Sequence, residues 1–72
     1  MLDKKIAKMY LEAYRKAYYN NQLNNINKAH YYAGQCSLLE KEFSEYLSEK
    51  TIADLKLKAE SLAEGDLHFY SD

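Results

Sequence analysis

Apolar residues along the first third of the chain recur at helical spacing. Leu2, Ile6, Met9, Ala13 and Ala17 fall on one narrow face when each residue advances the helix by about 100°. A second seam, Ala7, Leu11, Tyr14 and Tyr18, repeats at intervals of four, three and four, with Tyr10 between the two seams. The remaining arc carries Lys4, Lys5, Lys8, Glu12, Arg15, Lys16 and Tyr19. This pattern predicts a helix over residues 3–19, apolar around enough of its circumference to meet two neighbours.

Asparagines punctuate the next stretch of chain. Asn20-Asn21-Gln22-Leu23-Asn24-Asn25 combines a residue type that tolerates the left-handed conformation ending a helix with one that caps the next. Asn20 or Asn21 is expected to stop the first helix, and Asn24 or Asn25 to start the second. The stripe Ile26, Ala29, Ala33, Cys36, Leu39, Phe43 and Leu47 predicts a second helix over residues 26–49. Gly34 lies off that stripe and costs about 1 kcal/mol in a helix interior, so it marks a candidate bend, a point of close packing, or a split.

Thr51-Ile52-Ala53-Asp54 has the form of a capping box opening a third helix. Ile52, Leu55, Ala59, Leu62 and Ala63 share its apolar face, and Gly65 stands where a glycine would close it. That leaves a shorter third helix of some thirteen residues and an apolar tail over 66–72, with Leu67, Phe69 and Tyr70. The fold class predicted is all-α: an antiparallel helical hairpin plus a shorter third helix, a small three-helix bundle. Residues 1–65 form one helical domain in this reading.

If the first two helices fold back about the asparagine turn, the numbers of facing residues add to about 46. Ala17 then meets Ala29, Ala13 meets Ala33, Met9 lies near Cys36, Ile6 near Leu39 and Leu2 near Phe43. Small residues face small ones near the turn, which favours close axes.

Length narrows the function. A chain of 72 residues has room for one small domain and buries a modest core. Its single cysteine, Cys36, excludes an intrachain disulfide scaffold. The charged start, with Asp3, Lys4, Lys5 and Lys8, has no apolar stretch of the kind a secretory signal needs. No apolar run approaches the roughly 20 residues of a membrane span. The expectation is a cytoplasmic protein that uses no membrane. Nine lysines to one arginine, with eight tyrosines, are consistent with a small bacterial or phage reading frame.

Candidate chemistry is sparse. His30, Cys36 and His68 have no recognised metal spacing. Cys36 sits on the apolar stripe, where a thiol behaves as a small hydrophobe. Glu40, Glu42, Glu45 and Glu49 read as a solvated helix face beside Lys41 and Lys50. No glycine-rich phosphate loop and no nucleophile motif is present. The sequence therefore predicts neither an enzyme nor a metal or cofactor site.

Charge and tyrosine carry what functional signal there is. Residues 1–33 have a net charge of +4 and residues 34–72 of −5. Lys4, Lys8, Arg15 and Tyr19 form a modest basic and aromatic face, the basis of a secondary reading as a nucleic-acid-associated regulator. Specific DNA readers usually bring more arginine, which weighs against nucleic acid. Tyrosine is enriched at interfaces because its ring is apolar and its hydroxyl stays wet. A third helix could cover Tyr10, Tyr14 and Tyr18 as the flank of the core. With some thirteen residues, however, it is shorter than either arm of the hairpin and cannot cover all of both. Tyr31 and Leu38 also lie on the polar side of the second helix, one heptad apart. Leu11, Tyr14 and Tyr18 are thus expected to touch a second chain, with Tyr10 and Tyr31 flanking. The partner is another protein or a second copy in a homo-oligomer, and the role a non-enzymatic protein-binding regulator or inhibitor. A structural self-assembling subunit is the remaining alternative.

Overall fold

Three helices make up the structure: α1 (Leu2–Gln22), α2 (Ile26–Glu42) and α3 (Glu49–Ser71). The computed structural model describes residues 2–71, with side chains from 3 to 69. The expected pairing of Leu2 with Phe43 and the placement of Tyr70 lie outside the described side chains. The protein is an all-α three-helix bundle in which α1 packs against both α2 and α3. Among the described residues, the backbones of α2 and α3 make no such contact with each other. The two apolar seams of α1 account for this arrangement.

The asparagine run ends α1 at Gln22, three residues later than the periodicity alone predicts. Asn24 takes the left-handed conformation, with φ 63°. The Asn25 amide donates to the Asn20 carbonyl at 2.8 Å and the Asn24 amide to that of Asn21 at 3.1 Å. This pair of bonds is a Schellman motif, which satisfies carbonyls that a helix end leaves open. A hydrophobic contact often accompanies the motif. Here the Asn25 side chain instead donates to the Asn20 side chain at 3.3 Å. Asn20 is buried, and its amide also donates to the Lys16 carbonyl at 2.8 Å, so its polar groups are partnered.

Moving the turn moves the register. Tyr10 reaches Glu40 and Lys16 lies over Tyr32, pairs whose numbers add to 50 and 48 rather than about 46. Ala13 and Ala29 stay buried, but Ala33 and Met9 turn outward. The expected Ala13–Ala33 and Met9–Cys36 pairings are corrected accordingly. Gly34 does not split α2, which is continuous through it, and nothing packs within 4 Å of where its Cβ would lie.

α2 stops at Glu42, seven residues short of its predicted end. The chain turns through 43–46, and Leu47 is buried in the core from the connection that follows. Ser48, not Thr51, caps α3: its Oγ accepts from the Thr51 amide at 3.2 Å and donates to the Thr51 hydroxyl at 2.9 Å. Glu49 in the first turn suits the positive end of the helix.

α3 is the longest helix, at 23 residues, and not the shorter one predicted. It passes through Gly65 without a left-handed turn and takes in most of the expected tail. An ion pair from Asp66 to Arg15 holds the added turns against α1. α3 runs parallel to α1, since Tyr14 bonds to Glu60 and Tyr18 to Glu64 at a constant separation of 46 positions.

Ile6, Tyr10 and Ala13 of α1, Cys36 and Leu39 of α2 and Leu47 of the connection form the central core. Tyr14, Phe43, Ile52 and Leu55 pack around it. Burying an isoleucine such as Ile6 contributes roughly 1.5–3 kcal/mol. Ala59 and Ala63 are fully buried on α3, where small side chains permit close approach of the helices.

Candidate binding groove

Tyr10, Tyr14 and Tyr18 recur every four residues on α1, and each hydroxyl donates to a glutamate of a neighbouring helix. Tyr10 bonds to Glu40 at 2.7 Å, Tyr14 to Glu60 at 3.3 Å and Tyr18 to Glu64 at 2.6 Å. The first and last are short, charge-assisted bonds. Rings of Tyr10 and Tyr14 stack with centroids 6.4 Å apart, and the Lys56 ammonium lies 5.7 Å from the centre of the Tyr14 ring. Burial, reinforced by Glu40, raises the Tyr10 hydroxyl well above the usual tyrosine value. Burial and Glu60 raise Tyr14, and the bond to Glu64 raises Tyr18.

Of the residues predicted to meet a partner, the structure places Tyr10 fully inside the bundle, at 0% exposure. Tyr14 and Tyr18 are half-buried and bonded to α3, and Leu11 is half-buried on the same side of α1. The premise that a short third helix leaves this seam open is corrected: α3 has 23 residues and lies along it. Tyr31 stands apart from the others on α2, 62% exposed.

Tyr31 belongs to a different surface. Its ring meets Tyr32 edge to face at 5.1 Å, and Tyr32 lies under the Lys16 ammonium at 5.6 Å. Tyr32 in turn borders a groove of about 640 Å³ between α1 and α2. Met9, Ala13, Leu38 and Leu39 supply its apolar lining, and Lys5, Lys8, Lys16, Glu12 and Gln35 its polar one. Met9 is 52% exposed and Leu38 56%. Periodicity put Met9 in the hairpin seam, so its part here was missed. Leu38 carried a visible signal, lying one heptad from Tyr31 and off the buried stripe.

Other candidate chemistry is held within the bundle. Burial, with Glu40 nearby, pushes the Cys36 thiol up to about 11, and Lys56 offsets this only in part. A thiol so placed is a poor nucleophile. The guanidinium of Arg15, central to the basic face of α1, is engaged by Asp66 and Glu12. Among the described residues, no three His, Cys, Asp or Glu side chains are grouped as a metal ion would require. Nor is any described helix long and apolar enough to cross a membrane.

The fold and this groove define a small helical module with an open apolar furrow along one side. Comparison of the chain with protein-family models, curated proteins and solved structures gives no match.

Proposed function

We propose that the chain is a non-enzymatic protein-binding module, acting as a regulator or inhibitor by occupying its partner through the α1–α2 groove. The observation that supports this is the exposure of Met9 and Leu38 in one furrow, with exposed Tyr31 packed against Tyr32 at its border. Exposed apolar side chains scattered singly are ordinary, whereas clustered ones rimmed by polar groups mark interaction sites. Tyrosine and methionine are also enriched at such interfaces. Nucleic acid is the weaker reading, because the single arginine, Arg15, is tied to carboxylates and the groove floor of Met9, Ala13, Leu38 and Leu39 is apolar.

A photo-activatable residue at Leu38, compared with one at the still more exposed Leu57 on α3, tests this in the cells the protein comes from. Discrete protein adducts from position 38 and none from position 57 are expected. Equal labelling from both sites, or adducts with nucleic acid alone, would remove the groove from consideration as a protein-binding face.

A further inference from the structure

We infer that the occupant of the α1–α2 groove is an acidic amphipathic helix of another protein. This deepens the binding reading above and rests on it. The argument begins with shape. From Lys5 to Lys16 the α1 wall rises about 16 Å at about 1.5 Å per residue, which matches three turns of a docked helix. Such a helix presents apolar anchors at i, i+3, i+4 and i+7, and the floor of Met9, Ala13, Leu38 and Leu39 is apolar to receive them.

Charge selects among helices. Lys5, Lys8 and Lys16 are all exposed along that wall, and Glu12 is the one carboxylate among the described residues lining the groove. Glu12 also lies 3.7 Å from Arg15, which draws part of its charge away from the groove. A partner carrying glutamates or aspartates beside its anchors meets three ammonium groups, and complementary potentials of this kind set specificity and speed encounter. A symmetric dimer through the same groove would set the three lysines of one copy against those of the other, an arrangement like-charge repulsion disfavours.

The test titrates the whole chain with two synthetic helical peptides by fluorescence anisotropy. Both carry leucines at i, i+3, i+4 and i+7; one has glutamates beside them, the other glutamines. The acidic peptide should bind about tenfold or more tightly, and its advantage should shrink as salt rises from about 50 to about 300 mM. Lys8→Glu with Lys16→Glu should reverse the preference, and Leu38→Asp should abolish binding of both, each variant remaining helical by circular dichroism. Equal affinity for the two peptides would overturn the acidic assignment while leaving position 38 crosslinking intact. Failure of both peptides to bind would overturn it as well. So would salt-sensitive self-association in sedimentation, lost in the lysine double variant, because the occupant would then be a second copy.

Discussion

Arg15 and Asp66, fifty-one positions apart, meet in a two-pronged ion pair: the guanidinium Nε and Nη2 donate to separate carboxylate oxygens, each at 2.8 Å. The pair lies beyond Gly65, at the point where the sequence suggests that α3 should end. It ties the last turns of that helix to the middle of α1. A bidentate arginine fixes orientation as well as distance, which a lysine in its place would not.

Bonding to Arg15 holds the Asp66 carboxyl below the usual carboxylate range. With the native value below the unfolded one, the contribution is complete above about pH 4 and is lost as pH falls through the native value. Asp66→Asn should therefore cost about 0.5–1 kcal/mol at neutral pH, near the top of the range for partly exposed pairs. Urea midpoints measured down to pH 2 should show wild type and variant converging. A gap that stays constant would mean the contribution is not ionic.

The tyrosine hydroxyls and the Cys36 thiol give the opposite sign. Their native values are raised, so their contribution is complete below the ordinary values of about 8.5 for thiol and 10 for tyrosine, and is lost as pH rises through the native ones. Tyr10→Phe removes the donor to half-buried Glu40 and should cost about 1–2 kcal/mol at neutral pH. Its stability should also fall less steeply between pH 10 and pH 12 than that of wild type. Chemical denaturation combined with tyrosinate absorbance reads both effects. An unchanged alkaline slope in the variant would show that the Tyr10 hydroxyl titrates in the native state as it does in the unfolded one.

Gly34 and Gly65 sit inside helices with ordinary φ, and a Cβ added at either would meet nothing within 4 Å. Gly34→Ala and Gly65→Ala should each stabilise the fold by about 0.5–1 kcal/mol. The two are well separated, so their effects should add to within about 0.5 kcal/mol. Thermal melts of the singles and the double suffice to check this. A loss at either site would contradict the open space seen around it.

The helices and the two-faced character of α1 were legible because periodicity reports directly on which sides of a helix are covered. The asparagine turn was legible in kind, but its position was not, and every hairpin pairing depends on that position. A shift of one or two residues at the turn is enough to move Met9 from seam to groove. The end of α2 was hidden because Phe43 and Leu47 continue its stripe, although Leu47 reaches the core from a non-helical connection. Two candidate caps, Ser48 and Thr51, lie three residues apart, and local sequence does not choose between them. Gly65 reads identically as an ending or an interior glycine. The partner of Asp66 in the turn that follows is the distant Arg15, invisible to any local window. The same error left the Tyr14 and Tyr18 seam looking uncovered, whereas Tyr31 and Leu38 stood out correctly as apolar residues off the stripe.

Among the described residues the α1 backbone alone lies against those of both other helices, so opening at α2 leaves the α1–α3 contact in place and opening at α3 leaves the α1–α2 contact in place. Local opening then has two separate routes, one through α2 and one through α3, each with its own free energy. Loss of α3 leaves both walls of the α1–α2 groove standing, whereas loss of α2 destroys one of them. A ligand held in that groove therefore suppresses the α2 route and has no direct hold on the α3 route. Occupancy would be read in native-state hydrogen exchange as slower exchange from α2 amides, with those of α3 changing less.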